Sequence, residues 1–178
     1  GSREIGFLFG QYKRILNRWE GAITGKGLGW GGSELRPEAT GFGAVYFLRR
    51  MLDHAGDSLE GKSVVLSGAG NVALHAAQKL IESDAKVLTL SDSDGFIHDA
   101  EGIDQDKLDW IKALKQERRG RIKEYVEEYP DAEYHGDGAQ PWDVDCDIAM
   151  PCATQNEIDE DDAKALIERY NFTGFPVV

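Results

Sequence analysis

Apolar positions along this chain follow two rhythms. Between residues 3 and 19, Ile5, Leu8, Tyr12, Ile15, Leu16 and Trp19 recur at helical spacing and predict an amphipathic helix. The next run, GAITGKGLGWGGSELRPEA (21–39), is glycine-dense and reads as a loop with unusual backbone angles. Pro37 suits the first turn of a helix that continues through EATGFGAVYFLRRMLDHA, with Gly56 as its C-cap. Ser63–Leu66 is a short apolar strand, NVALHAAQKLIESD (71–84) a helix, and AKVLTLSDSDG (85–95) a second strand with a turn. A strand–helix–strand unit of about 30 residues is the building block of parallel sheets. A charge-rich helix is predicted from about Asp104 to Tyr129, and short strands in AEYH (132–135) and CDIAMPCA (146–153). A last helix follows over 159–170, with acids in its first turn that suit the helix dipole.

Composition narrows the function classes. The 178 residues carry a formal charge of −12, with 41% apolar and 29% charged residues. That balance fits a globular domain and speaks against nucleic acid and anionic membranes as partners. No run reaches membrane-span length or resembles a signal peptide, so a cytoplasmic setting is expected. Cys146 and Cys152 form no CxxC or Cys/His metal spacing, and no metal site is expected. His54, His75, His98 and His135 are scattered and read as surface or packing residues, and no nucleophilic triad stands out.

The chemistry-bearing motif is Gly68-Ala69-Gly70-Asn71-Val72-Ala73, a G-x-G-x-x-A turn between a strand and a helix. In a dinucleotide-binding unit the first glycine permits the tight turn and the second lets the backbone approach a pyrophosphate. The small third residue packs helix on strand. The helix N-terminus then offers free N–H groups to phosphate. Asp92 ends the second strand, where an acid can hold a ribose 2′-OH; equally, Ser91, Asp92 and Ser93 can simply cap a turn. Lys115, Arg118, Arg119 and Arg121 fall close together, Lys115 and Arg118 at i,i+3. Such a cluster serves a 2′-phosphate or is a solvated basic patch.

Four blocks, TGKGLGWGGSELRPEATGFG (24–43), LSGAGNVALHAAQKL (66–80), SDSDG (91–95) and DIAMPCATQNE (147–157), resemble the cofactor domain of the glutamate dehydrogenases, within the Glu/Leu/Phe/Val dehydrogenase family. The likeness is greatest to the NADP-dependent bacterial and fungal type. It implies a three-layer α/β Rossmann-type domain with a mostly parallel sheet, one strand running against the others. It divides the chain into a helical arm from the inter-domain region (3–23), a dinucleotide-binding domain (24–170) and a divergent tail (171–178). The implied activity is reversible oxidative deamination of L-glutamate to 2-oxoglutarate and ammonia with NADP, NAD being second choice. The resemblance assigns Thr40 to the nicotinamide carboxamide and Gly68, Gly70, Asn71 and Val72 to the phosphate loop. Asp92 and Ser93 would border the adenosine ribose, Lys115 and Arg118 meet the 2′-phosphate, and Ala153, Thr154 and Asn156 lie beside the nicotinamide ribose.

The substrate-binding lysine segments of the family have no counterpart before residue 24, so no catalytic residue is assigned and the chain is expected to be inactive alone. Glutamate or 2-oxoglutarate would need the missing domain. The family assembles as a homohexamer, and the apolar face of the first helix suggests self-association. Two other readings are a non-catalytic nucleotide-binding or interaction module built on this fold, and a piece of another amino-acid dehydrogenase. The apolar tail, NFTGFPVV, is expected to pair at the sheet edge or cover bare apolar surface, or else to be foreign to the domain.

Overall fold

The computed structural model describes residues 2–32 and 37–170. The chain divides into two compact units, 1–37 and 38–178. In the first, helix α1 spans Ser2–Leu16. It stops short of the predicted end at residue 19 because Asn17 turns to a left-handed φ of 51°. Phe9 is buried, with Trp19 edge-on to its ring at 5.6 Å. Phe7, Leu8, Ile15 and Leu16 are exposed, three of them on the apolar stripe of the sequence pattern. Among its described residues the glycine-rich loop holds a 3-10 turn, Leu28–Trp30.

The second unit is a five-stranded sheet in the order β4-β3-β2-β1-β5. Its elements are α2 (Ala39–Ala55), β1 (Ser63–Leu66), α3 (Asn71–Ile81), β2 (Lys86–Asp92), β3 (Gly95–Ile103), α4 (Gln105–Lys112), α5 (Tyr125–Glu128), β4 (Glu133–His135), β5 (Ile148–Met150) and α6 (Glu160–Tyr170). β1 pairs in parallel with β2 and β5, while β3 runs antiparallel to both β2 and β4. Four strands therefore share one direction and β3 opposes them, the mostly parallel sheet expected.

The strands feed two cores, β2 switching face at its irregularity between Val87 and Thr89. Val64, Leu66, Val87, Leu90, Ile148 and Met150 face α2, α3, α4 and α5 on one side. Val65, Leu88 and Ala149 meet Trp142, Cys146 and Leu166 on the other. Gly41 of α2 lies so close to α3 that a Cβ there would come within 2.6 Å of the Val72 carbonyl oxygen. Only glycine permits that approach, and it sets the start of α2 beside the start of α3. Gly56 caps α2 in the left-handed region, as predicted.

Three sequence expectations change. The helix predicted from Pro37 begins at Ala39, after a turn at Pro37–Glu38. The segment 95–103 is β3, a strand absent from the sequence reading. It follows β2 through a two-residue turn with Asp92 opposite Gly95. The helix predicted over 104–129 is interrupted: α4 runs on through a π-helical turn, Ala113–Arg118, until Arg119 takes φ 56° and the chain bends through Gly120. CDIAMPCA contributes only Ile148–Met150 as strand. The tail, 171–178, lies outside the described residues.

Asp99 on β3 is buried and joins three of these elements. It accepts from the Lys107 ammonium at 2.7 Å, the Tyr125 hydroxyl at 2.6 Å and the Glu101 N–H at 3.1 Å. Burial by itself penalises its charge, but the Lys107 and Tyr125 bonds outweigh that and hold the carboxyl below its usual range. The Tyr125 hydroxyl is pushed far up, by burial and then by that carboxylate. The bend that carries the basic cluster is thereby fixed against the sheet.

Candidate functional site

Toward the carboxyl ends of the parallel strands β1 and β2, hydroxyl side chains bridge backbone groups alongside the direct Ser91 N–H to Gly68 carbonyl bond of 3.0 Å. Thr89 Oγ1 accepts from the Leu66 N–H at 3.0 Å and donates to the Leu66 carbonyl at 2.9 Å. Ser91 Oγ accepts from the Gly68 N–H at 2.6 Å, and Ser67 Oγ accepts from the Cys152 N–H at 2.9 Å. All three serines and threonines are buried. They satisfy backbone groups that a continuous ladder would have paired, which buried peptide groups require. The sequence marked Ser91 only as a possible turn cap and gave no sign that Thr89, inside the strand, or Ser67 would serve the backbone.

Beside these hydroxyls, at the carboxyl ends of the strands, is a cleft of about 360 Å³ with Ser91 in its lining. Its lining includes Gly68, Gly70, Asp92, Ser93, Lys115, Ala153 and Thr154 from the expected set, joined by Gln140, Cys152 and Glu157. Thr40, Asn71, Val72, Arg118 and Asn156 do not line it. Thr40 stands exposed in the first turn of α2, and Asn71 opens α3. Asn156 is exposed with φ 60°.

Gly68 has φ 83°, and a Cβ there would lie 3.0 Å from the Cys152 carbonyl oxygen. Gly70 is the residue before α3, with φ −87° and ψ −172° and no side-chain cap on the helix. A Cβ on Gly70 would meet no atom within 4 Å. The first glycine is thus needed by the fold, whereas the second leaves room for something outside the chain. An uncapped helix start with that room in front of it suits a phosphate group.

Asp92 is committed within the protein. Its Oδ1 accepts from the Asp94 N–H at 3.1 Å, and its Oδ2 from the Ile122 N–H at 2.9 Å and the Lys115 ammonium at 3.0 Å. Burial opposes its charge, but these three donors hold its pKa below the ordinary aspartate range. Lys115 also donates to the Gly120 carbonyl at 3.0 Å. The structure separates the other expected cation from this cluster: the Arg118 guanidinium lies over the Trp110 ring at 4.7 Å. Arg121 takes the nearer place, donating to Ser93 Oγ at 2.9 Å with its Nε 3.4 Å from Asp94. The left-handed bend at Arg119 redirects the chain between them, and sequence spacing did not reveal it.

Glu157 Oε1 accepts from the Ala153 N–H at 2.9 Å, while its Oε2 is buried with no hydrogen-bond partner among the described residues. The Cys152 thiol is pushed up to about 12, by burial and then by the Glu157 carboxylate. A glycine cradle, an uncapped helix start, hydroxyls and cations at one end and an acceptor at the other fit a ligand carrying phosphates and ribose hydroxyls.

These features define a Rossmann-like α/β domain with its ligand cleft at the carboxyl ends of the parallel strands. Comparison with known proteins agrees. The profile of the Glutamate/Leucine/Phenylalanine/Valine dehydrogenase family matches residues 31–173, and the chain belongs to that family. It is 54% identical over 167 residues to an NAD(P)-specific glutamate dehydrogenase of Xylanibacter ruminicola, covering 94% of this chain and 37% of that protein. It is 51% identical to an NADP-specific glutamate dehydrogenase of Giardia intestinalis, covering 94% of this chain and 38% of that one. The crystal structure of Plasmodium falciparum glutamate dehydrogenase superposes with a TM-score of 0.82 at 48% identity, over 96% of this chain and 36% of that one. The chain therefore spans well under half the length of the relatives it matches. Among the described residues no helix is long and apolar enough to cross a membrane.

Proposed function

We propose that this chain is the dinucleotide-binding part of a glutamate dehydrogenase and takes NADP in preference to NAD. The observation that carries the reading is the Gly68–Gly70 turn. It is held open by Ser91 at the head of α3, with space in front of Gly70. In this reading Gly68, Gly70, Asn71 and Val72 present backbone to the pyrophosphate. Thr40, Ala153, Thr154 and Asn156 hold the nicotinamide end, and Glu157 Oε2 accepts a donor there. A bound nicotinamide dinucleotide supplies the ring that carries the hydride; these residues bind it, orient it and exclude water.

The preference for NADP rests on Asp92. An aspartate that selects NAD needs a free acceptor for the ribose 2′-OH. Here Oδ2 already accepts two hydrogen bonds and Oδ1 one, which leaves little acceptor capacity, and the Lys115 ammonium offsets the charge. Ser93 on the β2–β3 turn, and Arg121, which donates to it from the bend before Ile122, supply a hydroxyl and a cation for a 2′-phosphate. The relatives carry both names, including an NAD-specific glutamate dehydrogenase of Bacteroides fragilis at 47% identity, so the cofactor needs a direct test. Deamination of L-glutamate would belong to the longer protein, and no residue of this chain is assigned to the chemical step. α1, with its exposed apolar residues, is the proposed surface of self-association.

Calorimetric titration with NADPH and NADH separately tests the reading. NADPH binding at least about tenfold tighter, about 1.4 kcal/mol, is expected. Equal affinities would overturn the preference, and no binding of either would overturn the domain's proposed role. Incubation with glutamate and NADP should yield no NADPH; its appearance would overturn the expectation that this chain alone is inactive.

A further inference from the structure

The ladder between β3 and β4 places His98 opposite Glu133 and Phe96 opposite His135. Residues two apart on a strand share a face. His98, Glu133 and His135 therefore project together, on the side away from Ile97 and Tyr134, which pack into the main core. One ligand atom from each of the three lies within 4.8 Å of the others. They border a second cleft of about 490 Å³ that Asp143 and Asp145 also line. The His135 ring is stacked on Phe96, with centroids 4.5 Å apart and planes 14° from parallel, which fixes its direction.

The geometry points to a site for one borderline divalent transition ion of the Zn²⁺ class, ligated by His98, Glu133 and His135. Two imidazoles and a carboxylate form a donor set that zinc takes with a fourth position left to water. Tetrahedral ligands at about 2.1 Å are about 3.4 Å apart, so the donors need to close by little more than 1 Å. Rotation of half-buried His98 and of the exposed Glu133 supplies that, around the stacked His135 ring. Imidazole donors select zinc, nickel or copper over magnesium and calcium. Glu133, Asp143 and Asp145 give the cleft negative charge that draws a cation in. The competing thiols are poor ligands, Cys146 being buried and Cys152 held protonated. The ion would pin β4, a three-residue edge strand, to β3. It would lie between the Phe96 and His98 registers of β3, on the strand that leaves the turn carrying Ser93. Gln140 lines both clefts, so the two sites adjoin.

The test is titration of the full chain, free of any affinity tag and stripped with chelator, with ZnCl₂ and separately CaCl₂. Binding of one zinc ion with micromolar affinity is expected, with a rise in Tm of roughly 5–10 °C at 100 times Kd. Calcium should not bind at the same concentrations. His98→Gln with His135→Gln should weaken zinc binding at least about 100-fold, more than loss of an outer-shell partner costs. Glu133→Gln, at an exposed position that the fold does not depend on, should weaken it at least about tenfold. Failure of the wild-type chain to bind zinc, or equal binding by these variants, would overturn the site. So would calcium binding as tight as zinc.

Discussion

Alanine at Gly68 and alanine at Gly70 should have opposite effects, and the difference separates folding of the turn from its ligand role. At Gly68 the backbone is left-handed, φ 83°, which costs an L-residue about 1–2 kcal/mol. The new Cβ would also sit 3.0 Å from the Cys152 carbonyl oxygen and 3.1 Å from the Ala153 Cα, both backbone atoms that cannot swing aside. Overpacking of this kind adds at least about 1 kcal/mol. The sum is about 2–3 kcal/mol, or a fall in Tm of roughly 4–12 °C for a domain of this size. At Gly70 the angles are open to any residue, and the Cβ would meet no atom within 4 Å. Alanine there should leave Tm unchanged or slightly raised, since it restricts the unfolded chain. The same methyl group stands where a pyrophosphate must approach backbone, so Gly70→Ala should lose at least about tenfold in NADPH affinity. Calorimetric melts give the first quantity and titrations the second. Wild-type NADPH affinity in Gly70→Ala would refute the ligand reading of the turn. A wild-type Tm in Gly68→Ala would refute the argument from strain.

Acid should act through Asp92 and Asp99. Both carboxyls are held below their ordinary values in the fold, so their stabilisation is complete above about pH 4 and is lost as pH falls through the native values. Asp92→Asn should therefore lower Tm at pH 7 and flatten its fall towards pH 3; parallel Tm–pH curves for variant and wild type would contradict this. Arg121→Ala should weaken NADPH binding by about tenfold and NADH binding much less, because one charge-assisted contact is lost. Arg118→Ala should cost less, its guanidinium being engaged with Trp110; the reverse ranking in paired titrations would show that the cation cluster rearranges around the ligand. Cys152, with its thiol pushed up to about 12, should be alkylated on the order of 10³ times more slowly at pH 8 than an ordinary thiol, as peptide mass mapping would show. Labelling at the ordinary rate would mean the cleft opens.

The strand–helix–strand core was legible because its apolar residues keep strict rhythms. β3 was not. It begins with Gly95, Phe96 and Ile97 and then carries His98 and the buried Asp99, and an acid in a strand interior reads as loop until Lys107 and Tyr125 are known to meet it. The break at Arg119 was hidden for a related reason. KQERRGR has no apolar residue to mark a boundary, and the Asp92 carboxylate, 30 positions from Ile122, is what the chain turns there to meet with its N–H. The scattered histidines show the same limit. His98 and His135 lie far apart in sequence, and only the β3–β4 register makes them neighbours.

The cleft itself depends on residues that no motif marks. Parallel strands with a complete ladder leave no room between their carboxyl ends, and opening them without substitutes would strand buried N–H and C=O groups, at about 1–3 kcal/mol each. Thr89 meets that cost at Leu66 by serving both its donor and its acceptor, and Ser91 does so at Gly68. A valine at either position would keep the strand pattern and the glycine fingerprint intact. It would nevertheless leave those groups unpaired, and it would close the strands or destabilise them. Thr89→Val should therefore lose both Tm and cofactor affinity, whereas Thr89→Ser, which retains the hydroxyl, should keep most of each. If the valine variant instead binds NADPH normally and melts with the wild type, the hydroxyl bridge does not hold the cleft open.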